Sequence, residues 1–384
     1  MGNNYSIEEE IIILDSIDKF IKLDVLPYAH VLEYSDTYPS DIVEKMKELG
    51  LFGAIIDPKY GGIGLSVKTY AKIVEKISEA WMSVSGVLNS HLIMAIAVQR
   101  FGTEEQKNVW LPRFASGELR GGVALTEPDA GTDLQAIRTK AVRDGDEYVV
   151  NGSKTWITNA LQGQVLALLV KTDPHAEPRH KGMSLFIAEK GEGMTVKKLE
   201  KLGYRGIDTS EIAYEDYRVP AKNLIGGVEG LGMKQILSGL ELGRINVAAR
   251  GVGLARAALK ESVAYAQVRK TFGQPIAKHQ AIQIYLADMA TRVEASTLLV
   301  QAAAEAYDQG KRCDMEAGMA KLFATESAVT NTLDAMRIHG AYGYSKEYNI
   351  ERYFRDAPLL AIGEGTNELQ RIIISRQLIE RNPV

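Results

Sequence analysis

A double switch in hydrophobic period constrains this fold most. Up to about residue 119, apolar residues recur every three or four positions, as on one face of a helix. Ile7, Ile11, Leu14, Ile17, Ile21 and Val25 form the first such stripe, with Pro27 near its end. Pro39-Ser40-Asp41 opens a second helix, which Gly50 closes. After the loop at 57–62 come two apolar helical stretches, 66–80 and 82–101, and Thr103 with Gln106 then offers a capping box. At Gly121 the period changes. Short segments rich in Val, Ile, Thr and aromatics follow at 123–126, 139–143, 147–151, 154–158, 165–171, 183–189 and 211–214. Asp144-Gly145 and Asn151-Gly152 are expected to be tight hairpin turns. Strands at that spacing predict an antiparallel sandwich or barrel, not βαβ units. From about Gly230 the period is helical again, and helices over 231–266, 275–309, 314–338 and 366–381 predict a four-helix bundle. The expected architecture is α+β and multidomain. It has an N-terminal helical domain over 1–119, a middle antiparallel β domain over 120–226 and a C-terminal four-helix bundle over 227–384.

Composition narrows the function. A net charge of −4 and a pI near 6.0 leave no basic footprint for nucleic acid. No apolar run approaches the roughly 18 residues a membrane span needs, so no membrane partner is expected. The acidic start, Glu8-Glu9-Glu10, resembles neither a secretory signal nor a transit peptide, which predicts a cytoplasmic protein or one whose targeting segment has been removed. Cys313 is the only cysteine, so no intrachain disulfide can form. The six histidines show no metal-ligand spacing, and no metal is expected. The glycine run 226–232 lacks G-x-G-x-x-G spacing and a βαβ setting, which argues against a nicotinamide site. Neither H-E-x-x-H nor G-x-S-x-G occurs, so a hydrolase has no anchor.

Three stretches carry chemistry. Leu360 to Glu368 sets Glu364 between Gly363 and Gly365, ahead of an amphipathic helix. Glycines let another molecule approach the backbone and permit positive φ, a setting for a carboxylate pointed into a cleft. Ala124 to Asp133 is a strand running into a turn rich in small and hydroxyl residues. Asn151 to Asn159 puts Trp156 and Thr158 two residues apart, on one face of a regular strand. An aromatic ring beside hydroxyl and backbone donors suits a flat heteroaromatic cofactor.

These stretches bring a resemblance into view. The chain resembles the acyl-CoA dehydrogenase family of flavoproteins over residues 7 to 381. Leu125-Thr126-Glu127-Pro128-Asp129-Ala130-Gly131-Thr132-Asp133 is similar to the family's first flavin signature, and Asn151 to Asn159 to its second. Arg269 to Gly273 with Gln280 is similar to its R-x-x-F-G segment, and Gly363-Glu364-Gly365-Thr366 to its E-G-T catalytic loop. The resemblance implies FAD held at Val123, Leu125, Thr126, Gly131, Thr132, Trp156 and Thr158. It implies that Arg269, Phe272 and Gln280 reach the FAD of a neighbouring subunit, and that Arg337, Gly340, Thr366 and Glu368 line its adenosine and pyrophosphate. Thr132, Glu241, Arg244 and Gly365 match positions that contact acyl-CoA. Glu364 matches the base that removes the α-proton, and its own N–H with a ribityl hydroxyl would hold the thioester oxygen. The implied product is a trans-2-enoyl-CoA, the electron acceptor an electron-transfer flavoprotein, and the assembly a homotetramer.

Departures from the family pattern refine this. Some members place the base just before the arginine matching Arg244, and that position here is Gly243. Gly363 stands where many carry a bulky aromatic, which predicts a wide pocket for a branched or cyclic acyl chain unless Leu240 or Tyr344 fills it. His339 replaces a small apolar residue. No Lys or Arg occurs between Ser78 and Gln99, which argues against a dicarboxylyl-CoA substrate. The alternatives left open are an enoyl-CoA reductase or oxygen-using flavoenzyme on the same scaffold, and a non-catalytic acyl-CoA-binding protein.

Overall fold

The computed structural model describes residues 5–384; the side chain of Ile7, first in the N-terminal stripe, lies outside the described residues. Helix α1 (Ile7–Phe20) starts at a capping box between Ser6 and Glu9. Pro27 does not end the helical run. A π-helical turn, Ile21–Val25, leads into α2 (Leu26–Tyr34), where Pro27 occupies the first turn and has no intrahelical N–H to lose. Of the stripe, Ile17 and Val25 are buried while Ile11 is exposed. Then come α3 (Ser40–Glu48), α4 (Val67–Phe101) and α5 (Glu104–Ala115), whose capping box joins Thr103 and Gln106 as expected. Trp81 interrupts α4 with φ −157° and ψ 101°, at the junction of the two stretches read from the sequence. By length and composition α4 could cross a membrane, contrary to the expectation that no apolar stretch is long enough. Its apolar window is wholly buried inside the molecule, and α4 packs along α6 (Gly232–Val268).

The middle segment is one seven-stranded sheet, built from β1 (Gly121–Ala124), β2 (Lys140–Asp144), β3 (Glu147–Thr158), β4 (Val165–Lys171), β5 (Met183–Glu189), β6 (Met194–Lys198) and β7 (Thr209–Pro220). The strand order is β1-β4-β2-β3-β7-β6, with β5 on the other edge of β4. Most pairs are antiparallel, but β1 and β2 both meet β4 in parallel. The turn at Gly145 joins β2 to β3, with Asp144 opposite Glu147. Asn151-Gly152 is not a turn: β3 runs through it by a bulge. Asn151 exchanges two hydrogen bonds with Asp216 of β7, and a β-carbon on Gly152 would come within 2.5 Å of Thr139 Oγ1. The bulge therefore keeps β3 on β7 where a turn would release it. Tyr148, Phe186, Tyr214 and Tyr217 anchor a core of the sheet's own.

The C-terminal helices are α6, α7 (Gln280–Asp308), α8 (Asp314–His339), α9 (Ile350–Ile362) and α10 (Asn367–Arg381). A short hairpin, β8 (Lys270–Thr271) and β9 (Gln274–Pro275), precedes α7. Helix α8 touches α6, α7, α9 and α10. Helix α9 was not among the expected helices; its Pro358 reads as a helix breaker.

Candidate active site

Glu364 lies in the loop between α9 and α10. Gly363 caps α9, and the chain then turns left-handed at Glu364 (φ +56°) and Gly365 (φ +85°) before Thr366 caps α10. A left-handed glutamate is strained and persists only where its surroundings hold it. Lys321 of α8 does much of the holding. Its Nζ donates to the carbonyls of Ala361 and Gly365, both at 3.0 Å, and to Asn367 Oδ1 at 2.8 Å. Gln370 Nε2 donates to the Gly365 carbonyl as well. Lys321 is fully buried, and that burial brings its pKa down to about 8.

The Glu364 carboxylate points back at α4 and α6. Asn89 Nδ2 of α4 donates to Oε1 at 3.1 Å. On the other side, a β-carbon on Gly243 of α6 would stand 3.1 Å from Oε2. Burial pushes the Glu364 pKa above the ordinary carboxylate range, against the opposing charges of Arg250, Arg244 and Lys321 and the Asn89 hydrogen bond. Glu241 is pushed up too, first by burial and then by Asp314 beside it. Two residues turn a helix by about 200°, so Glu241 leaves α6 on nearly the opposite side from Gly243.

The flavin-like segments form a shelf over a buried ion pair. Lys154 Nζ donates to Glu127 Oε1 and to the Leu125 carbonyl, each at 2.8 Å. The Glu127 carboxylate also accepts from the N–H groups of Arg138 and Thr139. Burial lowers the Lys154 pKa to about 8 despite Glu127. Leu125 is buried above this pair, Val123 and Thr126 are half-buried, and Gly131 and Thr132 are exposed in the following loop. Trp156 has φ +62° and is 60% exposed, while Thr158 is half-buried. A register shift between Lys154 and Ile157 interrupts the regular alternation expected to relate Trp156 to Thr158. A large aromatic held outward in strained backbone fits one face of a flat ring such as an isoalloxazine.

Arg269, Phe272 and Gln280 sit on or beside the exposed β8–β9 hairpin, with Phe272 97% exposed. The Arg269 guanidinium lies 6.0 Å from the Tyr342 ring centroid. Arg337 is exposed and pairs with Asp334 at 3.2 Å, and Gly340 ends α8 with φ +60°. Glu368 is exposed in the first turn of α10. His339 packs: its ring stacks on Tyr265 at 4.2 Å, its Nδ1 bonds the Ala335 carbonyl, and burial lowers its pKa. Asn89 and Lys321 were missed by sequence reasoning. Each is one polar residue in a helical stretch and gives no motif.

Three family models match in succession: acyl-CoA dehydrogenase N-terminal domain over residues 7–118, middle domain over 122–217 and C-terminal domain over 230–379. An acyl-CoA dehydrogenase of Bacillus subtilis (strain 168) is 41% identical, over 97% of this chain and 98% of its own. The (2S)-methylsuccinyl-CoA dehydrogenase of Cereibacter sphaeroides is 40% identical, over 97% of this chain and 70% of its own. The structure of butyryl-CoA dehydrogenase from Megasphaera elsdenii superposes with a TM-score of 0.94 at 35% identity, covering 99% of this chain and 100% of that one. Fold and matches together define an oxidoreductase acting on the CH–CH group of acyl-CoA. The chain belongs to the acyl-CoA dehydrogenase family, which is generally FAD-dependent.

Proposed function

We propose that this chain dehydrogenates an acyl-CoA thioester between Cα and Cβ, with Glu364 as the base, and passes the electrons to an electron-transfer flavoprotein. The observation that carries this reading is the Glu364 carboxylate, walled in between Asn89 and Gly243 with a raised pKa. A thioester α-proton is weakly acidic, and a carboxylate whose pKa is lifted towards working pH is a better proton acceptor than an ordinary one. Arg244, Arg250 and Lys321 oppose that rise and favour the ionised form that accepts the proton. The Glu364 N–H then donates to the thioester oxygen as negative charge develops there. Bound FAD supplies the two-electron acceptor for the β-hydrogen.

Val123, Leu125, Thr126, Gly131, Thr132, Trp156 and Thr158 hold the flavin end of FAD in this reading, and Arg337, Gly340, Thr366 and Glu368 its adenosine end. Arg269, Phe272 and Gln280 serve a second copy within a homotetramer, and the exposure of Phe272 supports that role. Thr132, Glu241, Arg244 and Gly365 contact the acyl-CoA in this reading. The pocket suits a branched or cyclic acyl chain, since only Leu359 lies within 4 Å of a β-carbon on Gly363 and Tyr344 is 83% exposed. Purified protein is expected to be yellow, with one FAD per chain, and to bleach on anaerobic addition of its acyl-CoA. A folded, colourless protein that takes up no FAD contradicts the reading.

A further inference from the structure

We propose that Arg250 sets the acyl specificity, and that the substrate carries a carboxylate at the far end of a short acyl chain. This rests on Glu364 being the base. Residues 78–99 of α4 carry no cation for a dicarboxylyl-CoA, but the fold supplies one from α6.

Arg250 is 5% exposed and its Nε has no partner. Among the described residues it makes no hydrogen bond and no ion pair. Other interior arginines have partners, Arg355 with Glu33 and Glu351, Arg256 with Glu75, and Arg352 with the Ala80 carbonyl, while Arg244 shares with Arg250 a buried Nε without one. The Arg250 charge acts on the Glu364 carboxylate, but a buried guanidinium with no anion hydrogen-bonded to it is costly, and a substrate carboxylate would supply that anion. Of the other cations near Glu364, Lys321 already has three acceptors, and Arg244 has Asp314 and Glu241 as counter-charges in addition to the Glu364 carboxylate it shares with Arg250.

The helix register says where such an anion lies. Gly243, Asn246 and Arg250 are spaced three and four apart, on one face of α6. Glu364 rests on Gly243, so Arg250 starts about 10 Å further along the same face. Its side chain leans back towards the helix N-terminus, shortening that gap. The charge of Arg250 acts on Glu364, Tyr204 and Tyr70. Asn246 donates to the Tyr70 hydroxyl at 2.7 Å, and its Oδ1, like that of Asn89, is buried without a partner. An alkyl tail would leave the Arg250 donors unsatisfied. A carboxylate a short chain beyond Cβ would meet the guanidinium in a bidentate pair.

The test uses FAD-loaded enzyme and two isosteric substrate pairs, glutaryl-CoA against pentanoyl-CoA and succinyl-CoA against butanoyl-CoA. Anaerobic flavin reduction is measured for each, and binding is measured in Glu364→Gln from the flavin spectrum. Wild type is expected to favour the dicarboxylyl member of at least one pair by tenfold or more in kcat/KM, roughly what one charge-assisted contact supplies. Arg250→Gln should lower that ratio about 100-fold, with the same trend in Kd, and Arg250→Lys should fall between. A wild type that favours the neutral member of both pairs would overturn the proposal, and this holds even if the variants do not fold. An unchanged ratio in Arg250→Gln would overturn it too, leaving Arg250 as a counter-charge for Glu364 alone. Absence of flavin reduction with all four substrates and with branched and cyclic acyl-CoAs would instead remove the dehydrogenase reading beneath it.

Discussion

The carboxylate of Glu364 rests on the bare backbone of Gly243: a β-carbon there would lie 3.1 Å from Glu364 Oε2 and 2.8 Å from Ile93 Cδ1. The contact joins the loop after α9 to α6 at the residue before Arg244. Some family members carry their base at that position. Here its lack of a side chain is what makes room for Glu364.

Gly243→Ala therefore crowds the base. The added methyl must displace Ile93 or the carboxylate, and misplacement by a fraction of an ångström weakens proton abstraction. We expect kcat to fall by roughly 10–100-fold with FAD content unchanged. Stopped-flow flavin reduction checks this, and a wild-type rate would show that the loop yields freely.

The shelf beneath the flavin segments depends on Lys154. Lys154→Met leaves Glu127 buried with two backbone donors and no counter-ion, and frees the Leu125 carbonyl. Loss of one partner from such a pair costs on the order of 3 kcal/mol. Thermal unfolding should shift down, and FAD should be lost on gel filtration. A variant that keeps both its Tm and its FAD would show the pair to be dispensable.

Gly363→Tyr tests the width of the pocket. Its β-carbon would press on the Leu359 carbonyl at 3.2 Å and its ring would then occupy roughly 150–250 Å² of surface. The kcat/KM for a branched or cyclic acyl-CoA should fall much further than for a linear one. Equal losses on both would count against a pocket shaped by Gly363.

Much of this was legible in the sequence because period and punctuation act locally. The switch at Gly121, the junction at Trp81 and the capping box at Thr103 all depend on neighbours a few residues away. The bulge at Gly152 was not legible, because β7, some sixty residues on, decides that β3 continues. Pro358 hid α9 for a similar reason: packing against α8 outweighs one lost backbone hydrogen bond. At the site, the two glycines alone fit a solvated loop as well, and the likeness to a catalytic loop is what singled out Glu364. Lys321, Asn89 and Arg250 were not legible, since a lone polar residue in a helical repeat reads the same whether it faces solvent or a cleft.

The raised pKa of Glu364 has a consequence for stability. Between the ordinary carboxylate value and the raised one, the folded state still holds a proton that the unfolded chain has released. Stability contributed by this group is therefore present at low pH and lost as pH rises through that window. Glu364→Gln, which mimics the protonated form, should melt a few degrees above wild type at pH 8, with the gap closing towards about pH 4–5. Calorimetry on FAD-loaded samples across that range decides it, and a wild type more stable than the variant at pH 8 would reverse the sign.

The most direct test of the account is single-turnover flavin reduction, without oxygen, in wild type and Glu364→Gln with the best acyl-CoA found. Glutamine keeps the shape and the Asn89 contact region but cannot accept the α-proton. We predict that the variant retains FAD, binds the acyl-CoA and reduces its flavin at least about 10³-fold more slowly than wild type, within the range a positioned base supplies. A variant that reduces its flavin within tenfold of the wild-type rate would contradict the assignment of Glu364 as the base.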